Sequence, residues 1–353
     1  MFYSKLYDLL KESDAIMLTS PHNLRYFTGF KGGEGIAIIG SAFRILLVDS
    51  RYTVAAKTEA VDFSVLEFSG GKLQQNITDI FSEKNIKTIL FEDLYMNVFE
   101  FEKIKNNNIS VEFKGVGDKL DALRMIKTDE EISFIREAEH IGDIAFEKVL
   151  PLLKAGVTEC EIAAELEYQM RLLGSDGTSF ETIVVSGYKT SMPHGKPDSK
   201  KIEKGDFVTM DFGCVYKGYC SDMTRTVVIE RVSEEQQKIY NTVLKAQFAG
   251  LNGIKAGISG KNADKIARDI INNAGFGRFF GHSLGHGVGM LVHEQPNLSP
   301  LSDTILKENT VVSCEPGIYI EGVGGVRIED LVVIKKDGIE NLTHSPKKLI
   351  ICG

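Results

Sequence analysis

Two aspartates, Asp211 and Asp222, stand on the arms of a stretch at 207–225, FVTMDFGCVYKGYCSDMTR, that reads as a β-hairpin. Phe207, Val208, Met210 and Phe212 supply strand-forming bulk. Gly213 and Gly218 flank an expected turn at Tyr216-Lys217, and a second run follows to Val227-Val228. Pairing the arms about that turn sets Asp211 opposite Asp222; a register slipped by two leaves them on one face, because strand side chains alternate with period two. Two like charges so placed destabilise a hairpin, and a cation between them reverses the sign. Downstream, residues 281–296, GHSLGHGVGMLVHEQP, hold three of the chain's seven histidines, His282, His286 and His293, among four glycines. Glu315 then precedes a proline in VVSCEPGIYI, and Glu329 sits in the apolar run GGVRIEDLVVI, where an unpaired carboxylate is costly to bury. Each residue alone has a plain structural explanation: a satisfied histidine, a turn acid, a solvated strand acid. Together, and in order within one half of the chain, they point to a shared site that holds a cation.

The elements that must position these residues alternate between helix and strand. In the first third, helical patterns at 5–11, 52–60 and about 73–84 interleave with strand patterns at 15–19, 36–39, 45–48, 65–68 and 88–91. Such alternation argues an α/β layer with helices on a sheet. Gly32-Gly33-Glu34-Gly35 does not fit a GxGxxG phosphate loop. A boundary falls near 121–128, where Thr128 and Glu131 form a capping box. The helix it opens carries the apolar stripe Ile132, Ile135, Ala138 and Ile141. Thr158 with Glu161 opens a helix to about residue 173, Ser233 with Gln236 opens a third, and a fourth spans about 262–273. Two helices followed by strands thus occur twice, at 128–228 and 233–335, an α+β pattern with a coarse internal echo.

Composition limits the function classes. The chain has 353 residues, enough for two domains, with 43% hydrophobic and 25% charged residues. A net charge of −8 gives no support to nucleic-acid binding through a basic surface. The first residues carry Lys5, Asp8, Lys11, Glu12 and Asp14 and so lack a signal peptide's apolar core, and no apolar run approaches the ~18 residues of a membrane helix. The five cysteines, Cys160, Cys214, Cys220, Cys314 and Cys352, are odd in number without a CxxC, which reads as a reduced, cytoplasmic protein. Three of them, Cys214, Cys220 and Cys314, lie near the candidate acids and raise a thiolate–metal reading, set against a site already rich in oxygen donors.

The ordered set Asp211, Asp222, His286, Glu315 and Glu329 resembles the five-ligand pattern of the pita-bread metallopeptidases, which include methionine aminopeptidase, aminopeptidase P and prolidase. The stretches SPHNLRYFTGF and LLVDSRYTVAA resemble the creatinase-type N-terminal domain of the proline-specific branch, a domain that methionine aminopeptidases lack. The resemblance implies an α/β creatinase-like N-terminal domain at 1–122 and an α+β pita-bread catalytic domain at 123–353. It implies Xaa-Pro aminopeptidase activity on peptides with proline at the second position, with prolidase, restricted to dipeptides, as the alternative. It also implies a homodimer, while the charge and the lack of a long apolar run argue for no nucleic-acid or membrane partner.

Four carboxylates and one histidine make a hard site that favours Mn²⁺ or a similar divalent ion, with Co²⁺ or Zn²⁺ as alternatives. The resemblance assigns two metal ions: Asp211 to the first, His286 and Glu315 to the second, Asp222 and Glu329 bridging, and a bridging hydroxide as nucleophile. By spacing alone either His286 or His293 could be the ligand. The family pattern gives His194, in MPHGKP, and His293 substrate-facing catalytic roles, and Glu315 a second role as proton acceptor. His282 is expected to line the pocket. Arg327, two residues before Glu329, is expected to support the carboxylates or touch substrate. One departure stands out: proline-specific members carry an Asn-Ser-Ala-Leu type run before the proline-histidine pair, and this chain has KTSMPH at 189–194. Two other classes remain, a metal-free relative of the creatinase kind and a non-catalytic peptide-binding relative; the complete ligand set argues against both.

Overall fold

The computed structural model describes residues 2–353. The chain divides into two compact units, one ending at Leu123 and the other Arg124–Gly353.

In the first unit, β1 (Ala15–Leu18), β2 (Ile36–Gly40), β3 (Arg44–Asp49), β4 (Ser64–Phe68), β5 (Thr88–Phe91) and β6 (Glu112–Gly115) form one sheet in the order β4-β3-β2-β1-β5-β6. β1, β2 and β3 pair antiparallel, whereas β3–β4, β1–β5 and β5–β6 are parallel. Helices α1 (Pro21–Thr28), α2 (Thr53–Glu59), α3 (Leu73–Glu83) and α4 (Val98–Asn107) make the connections that parallel strands need. The five strands and two later helices read in the sequence are present. The expected helix at 5–11 is instead two short 3₁₀ turns, Phe2–Leu6 and Leu9–Lys11, and Asp8 makes no side-chain cap at the second. Helices α1 and α4 and strand β6 escaped the pattern reading. Yet α1 carries complete punctuation: Ser20 accepts from Asn23 N–H, Pro21 opens the helix, and Gly29 closes it at φ 82°.

The second unit begins within α5 (Lys119–Met125) and continues through α6 (Asp129–Val149) and α7 (Glu159–Leu172). Then come β7 (Gly177–Thr178), β8 (Ile183–Ser186), β9 (Phe207–Phe212), β10 (Cys214–Tyr216), β11 (Tyr219–Cys220) and β12 (Met223–Ile229). The order repeats: α8 (Glu234–Gly253), α9 (Gly260–Asn273), then β13 (Gly285–Gly287), β14 (Glu294–Leu298), β15 (Val311–Cys314), β16 (Gly317–Ile320), β17 (Gly324–Arg327), β18 (Asp330–Lys335), β19 (Gly338–Asn341) and β20 (Ile351–Cys352). The capping boxes at Thr128, Thr158 and Ser233 all form. Each half has its own core. Helices α6 and α7 pack Ile141, Phe146, Ile162 and Leu166 against Val208, Met210 and Phe212 of β9. Helices α8 and α9 pack Ile239, Val243, Ala267 and Ile271 against Val312, Val326 and Val332. The main sheets are β20-β12-β9-β8 and β14-β13-β15-β18-β19.

The hairpin register departs from the expected one. Val215 pairs with Cys220 and Tyr216 with Tyr219, so the turn is Lys217-Gly218, with positive φ of 49° and 84° at its two central residues. Asp211 therefore pairs with Thr224, and Asp222 is not opposite it. The slip is the two-residue one, which keeps both acids on one face. Met210 and Phe212 of β9 point into the core, so Asp211 and its partner Thr224 point away from it. Gly213 permits the bend between β9 and β10: a Cβ there would lie 2.0 Å from the Ser221 carbonyl oxygen.

Behind this face Arg225, 1% exposed, donates to the carbonyls of Thr224, Glu329, Ser345 and Pro346 and to Asp330 Oδ1 at 2.8 Å. Arg225→Met removes the cation and leaves these buried acceptors without it, so it should cost about 3–5 kcal/mol. The check is the urea midpoint, which should fall at an unchanged m-value; a loss below about 1 kcal/mol, the worth of a surface pair, would refute the assignment.

Candidate metal centre

The second unit contains a cavity of about 1000 Å³ lined by Asp211, Asp222, Glu315, Glu329, His194, His282, His286, His293 and Arg327. These nine residues, the candidate ligands, histidines and arginine of the sequence, thus meet at one place. They arrive from separate elements. Asp211 is the last residue but one of β9 and Asp222 precedes β12; His286 is the middle residue of β13 and Glu315 follows β15. Glu329 was expected within a continuous strand. It lies instead in the break between β17 and β18, its N–H donating to the Thr224 carbonyl at 3.1 Å. Gly285 lets β13 come close to its neighbour, since a Cβ there would stand 2.0 Å from the Ser313 carbonyl oxygen.

Of the two histidines that spacing left open, His286 is the one set among the acids. Its Nε2 is 3.3 Å from Glu315 Oε1 and 3.6 Å from Asp222 Oδ2. One ligand atom each of Asp222, His286 and Glu329 lie within 4.8 Å of one another, a spacing that a single cation can bridge. His293 stacks edge-on against His286 with ring centroids 4.3 Å apart and is exposed to the cavity. Neither His293 nor His194 has a hydrogen-bond partner among the described residues, so both rings are free to meet a ligand. Burial, then the charge of His286, lowers the His293 pKa.

The fit to a metal can be tested on the carboxylates themselves. Asp222 is 4% and Glu329 1% exposed. Burial, then repulsion from neighbouring acids, pushes both well above the usual carboxylate range. Asp211 Oδ1 and Glu329 Oε1 are buried with no hydrogen-bond partner among the described residues. Buried acceptors of this kind are paired in native proteins or reserved for something, and divalent cations answer both the orphaned oxygens and the repulsion. Glu315 behaves differently. Burial raises its pKa, but the hydrogen bond and charge of His286 outweigh it and hold the carboxyl at about 2. The donor set is oxygen and imidazole. Cys214, Cys220 and Cys314 are buried outside the cavity, and burial raises their thiol pKa values, to about 12 for Cys214. The thiolate reading therefore falls away.

Arg327 is 3% exposed and bridges the set. It donates to Asp211 Oδ2 at 2.5 Å, to Tyr319 Oη at 2.7 Å and to Thr224 Oγ1 at 2.9 Å. Thr224 in turn donates to Glu329 Oε2 at 2.6 Å. The guanidinium has no acceptor, so the Tyr319 hydroxyl directs its proton to His282 Nε2, 2.9 Å away, and His282 Nδ1–H meets the Ser283 carbonyl at 2.8 Å. His282 lines the cavity with both nitrogens already engaged. Three participants were missed in the sequence. Thr224 is two residues from Asp222, and Tyr319 belongs to the strand hairpined with Arg327; period two could have found both. Glu139 lies four residues after Ile135 on the buried stripe of α6, where an acid is out of place. It accepts from Thr343 Oγ1 at 2.6 Å and from Asp222 N–H at 3.3 Å, and burial pushes it to about 8.

Comparison with known proteins agrees with this architecture. Residues 133–336 match the model of metallopeptidase family M24, and residues 4–126 that of the creatinase/prolidase N-terminal domain. A solved structure named Xaa-Pro dipeptidase from Bacillus anthracis is 42% identical and superposes with a TM-score of 0.95, covering 99% of this chain and 98% of its own. One named X-Pro aminopeptidase, from Thermotoga maritima, is 41% identical with a TM-score of 0.92 over 98% of this chain and 99% of its own. The Xaa-Pro dipeptidase of Pyrococcus furiosus is 38% identical over 339 residues, 96% of this chain and 95% of that one. The fold is a creatinase-type N-terminal domain joined to a pita-bread catalytic domain, and the chain belongs to metallopeptidase family M24.

Proposed function

We propose that this protein is an Xaa-Pro aminopeptidase, hydrolysing the bond between an N-terminal residue and a following proline. One observation carries the reading: Asp211, Asp222, His286, Glu315 and Glu329 line a single cavity in which one oxygen of Asp211 and one of Glu329 are buried and unpartnered. As an M24 metallo-exopeptidase the chain works with divalent metal ions. We assign two ions of Mn²⁺, with Co²⁺ and Zn²⁺ as alternatives, on the hardness of the donors. Asp211 would hold one ion, His286 and Glu315 the other, and Asp222 and Glu329 both. When bound, such ions polarise the scissile carbonyl and lower the pKa of attacking water.

The protein groups divide the remaining work. Arg327 fixes Asp211, and Thr224 fixes Glu329, so neither carboxylate need reorganise. Glu315 accepts a proton from the attacking water. His293 donates to the developing oxyanion or shuttles a proton, His194 holds the scissile amide, and His282 walls the substrate pocket. In this reading 1–122 is the creatinase-like domain and 123–353 the catalytic domain. The working form is a cytoplasmic homodimer with no nucleic-acid or membrane partner; among the described residues no helix is long and apolar enough to cross a membrane. The names of the relatives favour a second reading, an Xaa-Pro dipeptidase restricted to dipeptides. A non-catalytic peptide-binding role is disfavoured by the complete donor set.

Three measurements test this. Mn²⁺-loaded protein should cleave an Xaa-Pro-Yaa-Zaa peptide as well as an Xaa-Pro dipeptide. Cleavage of the dipeptide alone selects the dipeptidase, and equal or faster cleavage of Met-Ala peptides defeats proline specificity. His286→Ala should lower metal content and activity together, whereas His293→Ala should keep its metal and lose about 10²–10⁴ in kcat; loss of metal by His293→Ala would reverse the assignment. Finally, metal bound only by the folded state should raise the melting temperature, by the equivalent of about 4 kcal/mol at a thousand times Kd. A melting curve indifferent to Mn²⁺ and to chelator would argue against a metal centre here.

A further inference from the structure

The KTSMPH run that departs from the family pattern has a defined place. After β8 the chain makes a short 3₁₀ turn, Gly187–Ser191, and then enters an irregular segment through His194 to Asp198. His194 and Pro193 line the cavity, and among the described residues the His194 side chain has no hydrogen-bond partner. Its position depends wholly on where the backbone of this loop is held.

Lys189 holds it. Its side chain is 9% exposed, and its ammonium group donates to three acceptors: Glu159 Oε2, the Lys196 carbonyl at 2.9 Å and Asp198 Oδ2 at 2.8 Å. That uses all three N–H groups of a lysine. Two of these acceptors lie beyond His194 and the lysine lies before it, so one cation closes the loop at its base. The third acceptor, Glu159, is fully buried in the first turn of α7, and its other oxygen accepts from Ser186 N–H at 2.7 Å and Ser186 Oγ at 2.9 Å. The residue next to Lys189 ties the opposite side. Thr190 Oγ1 accepts from Gly325 N–H at 2.8 Å, on the strand that ends in Arg327. The loop is therefore clamped between the helix in front and the strand that carries the carboxylates' arginine.

We infer that Lys189, paired with Glu159, is a positioning residue that sets His194 against the substrate amide. The inference rests on the peptidase reading for the identity of the substrate, but the clamp itself does not. A buried, fully hydrogen-bonded ion pair loses most when one partner is removed, and a displacement of about 1 Å in a substrate-contacting group can cost 10²-fold in rate.

The experiment is a double-mutant cycle on Mn²⁺-loaded protein with an Xaa-Pro peptide, joined to hydrogen–deuterium exchange on the same proteins. Lys189→Met should lower kcat/KM by about 10²-fold, with metal content unchanged. His194→Ala should do the same, and the double variant should be little worse than either, because both remove one function. Lys189→Arg, which keeps the charge, should restore most of the activity. Backbone amides at 187–198 should exchange faster in Lys189→Met, with the rest of the second unit unchanged. Should Lys189→Met fail to fold because Glu159 is left buried and unpaired, Lys189→Met/Glu159→Gln removes both charges and should show the same loop exchange and kinetics. Additive effects in the cycle, lost metal, or a lowered urea midpoint with unaltered loop exchange would each overturn the proposal. If the wild-type protein cleaves no Xaa-Pro peptide, the functional reading fails, and the exchange data alone still decide whether Lys189 clamps the loop.

Discussion

Four carboxylates brought together away from water are the constraint that the second unit is built to satisfy. Taking even one carboxylate out of water costs several kcal/mol after relaxation, and here the acids also repel one another. Burial and this repulsion together raise the pKa values of Asp222 and Glu329. Protein groups offset only part of the cost. Arg327 answers one oxygen of Asp211, Thr224 one oxygen of Glu329, and His286 one of Glu315. The residues that carry the oxygens left over line the same cavity. A fold selected for stability alone would have placed hydrophobic residues at these positions.

Holding such a set together requires the backbone to be as fixed as the side chains, and the segments pin one another. Glu329 N–H donates to the carbonyl of Thr224, two residues after Asp222. Glu315 N–H donates to the carbonyl of Leu284, two residues before His286. His286 N–H donates to Ser313 Oγ, two residues before Glu315, and the same hydroxyl donates to Glu315 Oε1. Every donor-bearing segment is thus hydrogen-bonded to a segment that carries another donor. The two helix pairs supply the packed cores on which these segments rest; Asp222, Glu315 and Glu329 stand just outside strands, and His286 sits where the β13–β14 register shifts. A break is where a side chain can be aimed without disturbing a ladder.

Much of this was legible in the residues, for physical reasons. Capping boxes at Thr128, Thr158 and Ser233 fix helix starts by local hydrogen bonds, so they can be read without tertiary knowledge. The face shared by Asp211 and Asp222 follows from period two and survives a wrong turn centre; their direct opposition did not survive, because turn geometry at Lys217-Gly218 sets the register. Long-range facts were out of reach. Nothing local says that Lys189 will close onto Asp198 and Glu159, or that Tyr319 will lie between His282 and Arg327. Helix α4 shows the limit differently. It buries Ile104 alone, so it offered almost no apolar stripe to read.

Adjacent residues 329 and 330 show most plainly what the electrostatics are for. Both are acids, and both are buried, at 1% and 0% exposure. Asp330 is treated as a structural acid. Arg225 and Lys347 reach it at 2.8 and 2.6 Å, and Asn341 donates to it at 2.7 Å. Burial raises its pKa, but these partners outweigh burial and bring it below the ordinary value. Glu329 has one hydroxyl donor, an oxygen with no partner among the described residues, and a pKa pushed up. The same chain, one residue apart, thus neutralises one buried charge with two cations and leaves the other open towards a cavity. Arg225 donates to the Glu329 backbone carbonyl but gives its side-chain ion pair to Asp330. The open carboxylate is therefore a feature of the site, and under the proposed function a bound metal ion would supply the charge it lacks.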